Sequence, residues 1–219
     1  MKHPTIHKLF DTLDKWRTFP AYQLERRADI FFAIYLKKII YHKFGVEVDH
    51  ILPEFSVRLG TIYGNNDNQS YKIDYVAVSQ QKNKIYFVEL KTDMSSRREN
   101  QDDYLKLAKK ANIPKLMDGI LKIYEATSAK IKYENYLNEL VDVGWLSNES
   151  YENISNNYDI SIVYLQPTVE DEDPKQIISF DEVIKALMSE TDPITRRFVE
   201  SLKKWKTKPS HTKERIRSI

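Results

Sequence analysis

Three charged residues set into two otherwise apolar strands constrain this chain more than any other feature. Residues 71–93 read YKIDYVAVSQQKNKIYFVELKTD. Val76, Ala77 and Val78 close a first apolar run, and Ile85, Tyr86, Phe87 and Val88 fill a second; the polar Gln80 to Asn83 between them makes a turn. Folding about that turn pairs Ser79 with Lys84, and therefore Asp74 with Glu89. Directly opposed residues of an antiparallel pair point to one face, and Lys91, two residues past Glu89, is expected to share it because the side-chain period of a strand is two. Val76, Val78, Ile85 and Phe87 complete that face, while Ile73, Tyr75, Ala77, Tyr86, Val88 and Leu90 form the reverse one. Both faces are apolar enough to need cover, so Asp74, Glu89 and Lys91 are expected to be partly buried.

Two carboxylates opposed across a ladder repel, by roughly 3 kcal/mol at about 5 Å if the effective dielectric is near 20. Something cationic has to offset that. One lysine neutralises one carboxylate, and the remaining charge and spare oxygen lone pairs suit a hard divalent cation such as Mg²⁺, which takes oxygen ligands and keeps several waters. The plain alternative is a cross-strand ion pair at the open end of a hairpin, where water reaches the charges. A lone Glu-x-Lys reads that way; the added Asp74 and the register favour a site.

At these residues the chain resembles the PD-(D/E)xK nuclease superfamily. Asp74 matches the lone aspartate of that motif and Glu89, Leu90 and Lys91 match its (D/E)xK, while Ile73 stands where a proline often precedes the aspartate. The resemblance covers residues 22–107 and extends to the strand near Ile160. It implies an α/β, restriction-endonuclease-like core of a helix, a three-stranded meander, a second helix and a further strand, and hydrolysis of DNA phosphodiester bonds, endo or exo undecided. Asp74 and Glu89, with the Leu90 carbonyl, would hold one or two Mg²⁺ or Mn²⁺ ions, and Lys91 would orient the attacking water and stabilise the transition state. Glu54 would join the metal site if its strand pairs beside Asp74. Glu25, near the start of the long helix, occupies the place of a helical glutamate found in many superfamily members, with Asp29 one turn on as its rival. Gln101 and Tyr104 resemble the Gln and Tyr of exonuclease-type members but stand one residue closer together; Leu105 fills the usual tyrosine position, so that subfamily is not carried over.

The order of elements has its own signals. Residues 21–44 are an apolar-rich run of good helix formers closed by Gly45, and the centre, 30–36, is apolar almost all round yet too short to span a bilayer, so a buried helix is expected. Residues 51–59 read as a strand and 64–69 as a loop. Residues 97–111 carry Tyr104, Leu105 and Ala108 at helical spacing. Helices at 114–126, opened by Pro114, and 130–143 make a helical insertion over about 113–157, before a fourth core strand at 160–166. Ser179 to Glu182 form a capping box for a helix at 182–188, and Thr191-Asp192-Pro193 starts a last helix to about Trp205. With no internal repeat and no long linker, the length suits a single α/β domain with core segments at about 20–112 and 158–190.

The absence of cysteine excludes disulfides, a thiol nucleophile and thiolate zinc sites, and agrees with a reducing cytoplasm, the expected location. The first sixteen residues lack the apolar core and cleavage site of a secretory signal. The histidines show no HExxH spacing, and neither GxSxG nor GxxxxGK[ST] occurs. Net charge is only +2, but from Arg196 onward nine basic residues face two acidic ones, a balance of +7 that leaves −5 for the rest. This basic tail, 203–219, with Lys203, Lys204 and Lys206, is a candidate phosphate-contacting arm, and Arg97 and Arg98, opening the helix after the site, are candidates for the same contact. Terminal basic runs are often plain solvated ends, and Trp205 either stacks on a base or anchors the last helix. The expected partner is nucleic acid, DNA in the first place, with no membrane and no small-molecule cofactor; a homodimer is left open. Against the nuclease reading stand a nuclease-like module that has lost catalysis and binds nucleic acid or protein, and an unrelated domain with a structural ion pair. The intact Asp/Glu/Lys set favours activity, because a module that only binds gains nothing from two repelling carboxylates.

Overall fold

A computed structural model describes residues 4–93, 99–169 and 176–207. It is a mixed α/β protein with elements α1 (Pro4–Trp16), α2 (Leu24–Phe44), β1 (His50–Arg58), α3 (Leu59–Tyr63), β2 (Ser70–Ser79), β3 (Lys84–Leu90), α4 (Glu99–Ala126), α5 (Lys130–Asp142), β4 (Asp159–Gln166), β5 (Ile177–Ser179), α6 (Phe180–Leu187) and α7 (Pro193–Trp205). The strands form one open sheet in the order β1-β2-β3-β4-β5. The chain divides into two compact units, Phe44–Glu89 with Arg97–Tyr164, and Met1–Lys43 with Leu90–Ser96 and Leu165–Ile219. No helix among the described residues is long and apolar enough to cross a membrane.

In the unit made of Phe44–Glu89 and Arg97–Tyr164, the hairpin folds about its predicted turn. Ser79 pairs with Lys84 and Tyr75 with Val88, and Asn83 takes a positive φ of 47° as its N–H closes the turn on the Gln80 carbonyl. β1 adds antiparallel on the other side of β2. It is an edge strand, so Pro53 within it forfeits no ladder bond that a neighbour needs. β4 lies parallel to β3: Asp159 N–H donates to the Asn83 carbonyl at one end and Lys91 N–H to the Leu165 carbonyl at the other. A parallel neighbour needs a long crossover, which α4 and α5 supply. The two helices expected at 97–111 and 114–126 run on as α4, broken at Asn112, whose φ of 62° and ψ of 173° leave the helix just before Pro114. The Asn112 side chain holds the break by donating to the Tyr158 carbonyl and accepting from Tyr158 N–H. Phe55, Phe87 and Trp145 fill the core here, the Phe55 ring centroid lying 6.5 Å from that of Phe87 and 6.1 Å from that of Trp145.

The other unit gathers α1, α6, α7 and most of α2 round an aromatic cluster. Phe198 lies within 6.3 Å of Phe10, Phe31, Phe32, Tyr35 and Trp205, centroid to centroid. α1 is an addition to the expected elements: it is short and only weakly apolar, and it docks through ion pairs as well as through Phe10 and Leu13. Arg197, 3% exposed, donates to Asp11 and Asp14, and Trp205 Nε1–H donates to Asp14 at 2.9 Å. The capping box forms as expected, with Ser179 Oγ accepting from Glu182 N–H and Glu182 Oε2 accepting from Ser179 N–H. Asp192 caps α7 through Ile194 and Thr195. Ile30 and Ile34, expected in a buried helix, are 56% and 62% exposed: α2 buries Leu24, Ala28, Phe32, Leu36, Ile39 and Ile40 on its opposite side.

Trp205 is therefore an anchor, and the last described turn belongs to the fold: Arg17 donates to the carbonyls of Lys204 and Thr207. Trp205→Ala should lose about 3–5 kcal/mol of stability. Parent-like melting of a chain cut before Lys203 would contradict this. Acid should loosen the same corner. Burial works to raise the Asp14 pKa, but hydrogen bonds from Arg197, Lys204 and Ser201 prevail and hold it below the ordinary value of 3.8. A depressed carboxyl stabilises above its unfolded pKa and ceases to as pH falls through the folded one, so the stability gap between parent and Asp14→Asn should narrow as pH falls below about 4 in thermal melts.

Candidate functional site

Regular pairing of the sheet stops on either side of three acids. β2 and β3 pair as far as Tyr75↔Val88, and the next step of that register sets Asp74 against Glu89. β1 and β2 pair at Pro53↔Tyr75 and again at Phe55↔Ile73, so the intervening step sets Glu54 against Asp74. Glu54, Asp74 and Glu89 thus occupy one row across β1, β2 and β3. Glu54 takes a φ of 50° in mid-strand, a left-handed conformation costing about 1–3 kcal/mol in a residue other than glycine.

Register fixes the row; strict period-two alternation does not fix its side chains. Tyr71, three residues from Asp74, belongs by alternation to the opposite face, yet its hydroxyl donates to Glu89 Oε1 at 2.6 Å. Phe55 likewise meets Phe87, which alternation assigns to the other side. The distorted backbone at Glu54, between Pro53 and Phe55, is where β1 departs from regular pleating.

Glu89 has no solvent exposure. A buried carboxylate keeps its charge only if hydrogen bonds and neighbouring charges replace its water. Two neutral donors do part of this: Tyr71 on Oε1 and Gln101 Nε2, from the first turn of α4, on Oε2. Each oxygen has about two acceptor sites, so a carboxylate accepts more than these two bonds. The Tyr71 phenol is pushed well above its usual range, first by burial, then by the Glu89 charge and hydrogen bond, with Asp74 adding to the rise. It remains a hydrogen-bond donor at any ordinary pH. Asp74, half-buried, therefore acts on the same hydroxyl as Glu89. On the other side of the row Lys72, hydrogen-bonded to Ser56, has its pKa lowered by burial while the charge of Glu54 pulls it back up.

In the unit that contains Leu90–Ser96, Lys91 is 5% exposed, with its Nζ 4.0 Å from Glu25 Oε1. Its backbone N–H is taken by Leu165. Asp29, the rival of Glu25, is exposed and caps its own neighbour, Ile30 N–H.

The ligands that Glu89 and Asp74 can offer are carboxylate oxygens, a set that suits a hard cation. Among the described residues, no three His, Asp or Glu side chains gather as a metal-holding group. A cation here would have to rely on a carboxylate pair, backbone oxygen and water, which is how Mg²⁺ is commonly held.

The basic candidates fare unevenly. Arg97 and Arg98 lie outside the described residues. Lys204 pairs with Asp14 and Lys206 with Asp181, both at 2.6 Å, so much of their charge is already answered, while Lys203 is exposed. Removing the chain from Lys203 onward would cut into the buried Trp205, so the tail that can be tested for phosphate contact begins after Thr207. Sequence reasoning misses Tyr71 and Lys72. Nothing marks Lys72 in the sequence, and alternation places Tyr71 on the wrong face. Gln101 is legible as a candidate and meets Glu89 despite its shortened spacing to Tyr104. Comparison with known protein families, characterised proteins and solved structures returned no match.

Tyr71→Phe removes the hydroxyl that donates to Glu89 and also touches Gln101, and keeps the ring. It should cost about 1.5–3 kcal/mol, the range for a hydrogen bond to a charged group, in denaturant unfolding. Parent-like stability would show that Glu89 does not depend on this bond.

Proposed function

We propose that this chain is a metal-dependent deoxyribonuclease with a restriction-endonuclease-like core, hydrolysing phosphodiester bonds at Asp74, Glu89 and Lys91. The observation that carries the reading is the row of acids: a turn at Gln80 to Asn83 sets Asp74 against Glu89, with Glu54 next in line. The element order α2, β1, β2, β3, α4, β4 supports it, since the core of the superfamily that the motif resembles runs helix, meander, helix, strand.

In this reading the pair Asp74 and Glu89, with the Leu90 carbonyl, would hold Mg²⁺ or Mn²⁺, while Glu54 does not gather with them as a third ligand. A metal held there would supply a water of lowered pKa and neutralise charge on the phosphate. Tyr71 and Gln101 hold the Glu89 carboxylate in one orientation, because each donates to one of its two oxygens. Lys91 presents its ammonium to the charge that grows on the phosphate oxygens. In the structure its Nζ lies 4.0 Å from Glu25 Oε1. The second reading, a nuclease-like module without catalysis, draws on that same pair, which would make Lys91 a structural cation.

Linear, circular, single-stranded and branched DNAs incubated with Mg²⁺ or Mn²⁺ form the direct test. Cleavage should be lost in Lys91→Ala with metal binding largely kept, and Asp74→Ala should lose both. No cleavage by the parent on any substrate would favour the binding module. Melting curves give an independent measure. Asp74→Asn relieves repulsion in the row, so without metal it should melt at or above the parent, while saturating Mg²⁺ should stabilise the parent by mass action and the variant much less. Strong destabilisation of Asp74→Asn in chelator, with neither protein responding to metal, would make Asp74 a structural partner.

A further inference from the structure

Beside the acid row the unit made of Phe44–Glu89 and Arg97–Tyr164 displays an aromatic path whose outer rings, Tyr63 and Tyr104, the proposed chemistry does not use. It starts at Tyr63, the last residue of α3, which is 52% exposed. Tyr63 meets the Tyr104 ring edge-on at 6.2 Å between centroids, and Tyr104 meets Tyr71 at 5.1 Å. Tyr71 ends on the Glu89 carboxylate. Two ring-to-ring steps therefore join an exposed ring to the buried acid.

The exposed ring is not on a loose tip. Leu59 and Gly60 N–H groups donate to the carbonyls of Gln69 and Asp67, Asn65 N–H returns to the Gly60 carbonyl, and Arg58, buried, donates to Asn68. Side chains close the loop further, Asn65 accepting from Asp67 N–H and Asp67 from Gln69 N–H. Gly60 has no room for a side chain: a Cβ there would lie 2.6 Å from the Asp67 carbonyl oxygen. A buried arginine and a crowded glycine thus fix α3 and its loop, and Tyr63 projects from that fixed base with exposed Asn66 and Gln69 nearby in sequence.

A rigidly mounted, exposed aromatic ring near a carboxylate row suits a flat π-face better than a duplex backbone. We infer that Tyr63, backed by Tyr104, stacks an unpaired base, so that the strand taken by this site is single-stranded or frayed nucleic acid. The inference rests on reading the acid row as a phosphodiester site, and stacking makes no demand on base identity because every base offers a π-face. Asn66 and Gln69, exposed and close to Tyr63 along the chain, carry amides that both donate and accept.

Fluorescence anisotropy in EDTA, where nothing is cleaved, tests it with a labelled oligothymidylate, the matching oligouridylate, an abasic strand of equal length and a blunt duplex. The parent should bind the oligothymidylate or oligouridylate more tightly than the abasic strand or the duplex. Tyr63→Ala should weaken binding of the base-bearing strand by about fivefold or more, the lower end expected for one stacked base, and leave the abasic strand unchanged. Tyr63→Phe should keep the parent affinity. Equal binding of base-bearing and abasic strands by the parent, an unchanged Tyr63→Ala, or no binding of any strand overturns the inference. The cleavage assays of Lys91→Ala and Asp74→Ala are read separately: parent cleavage indifferent to Tyr63→Ala sinks the stacking and spares the nuclease, whereas base-dependent binding without any cleavage does the reverse.

Discussion

A carboxylate with no solvent exposure, on the central strand of a five-stranded sheet, is the constraint on which the site depends. Left without partners, such a charge would cost several kcal/mol or take up a proton. Around Glu89 the chain instead assembles donors from two other elements. Gln101 comes from the first turn of α4, so that turn must sit at the open end of the hairpin; Tyr71 comes from β2 and abandons the alternation of its strand to reach in. The distortion continues into β1, where Glu54 accepts a left-handed φ opposite Asp74. Strain of that kind persists only where surrounding structure imposes it, and it concentrates at functional sites.

The second unit meets a comparable problem with charges of both signs. Arg197 is nearly as buried as its aromatic neighbours, yet Asp11, Asp14 and Ser201 satisfy its guanidinium from three directions. Those bonds fix α1 to α7 and make the start and end of the described chain one structural corner. A short, weakly apolar helix such as α1 has little stability alone; tertiary docking supplies it. The same corner accounts for Trp205, whose indole N–H would otherwise be buried without an acceptor.

Signals that act over a few residues are legible in the sequence. Gly45 closes α2 at φ 67°, the Ser179 capping box and the Asp192 cap open α6 and α7, and the Gln80 to Asn83 turn sets the hairpin register, each because one local hydrogen bond or one backbone angle decides it. The kink of α4 falls at Asn112, next to the Pro114 expected to start a new helix. Harder to read are α1, which depends on partners nearly two hundred residues away, and the exposure of Ile30 and Ile34, since an apolar helix surface does not say which of its sides will be covered.

What the sequence alone determined is the row: once Ser79 pairs with Lys84, counting along the strands brings Asp74 to Glu89, and a third strand carrying Glu54 is plain from its own pattern. Register is a matter of integers, and the turn sets it. What only the tertiary structure decided is how those acids are held. That Tyr71 crosses to Glu89, that Gln101 reaches it in spite of irregular spacing, that Lys72 stands by Glu54 and that Lys91 lies near Glu25 all follow from bends in the backbone and the docking of helices. Such placements depend on distances between elements, and the period of a single strand carries no information about them.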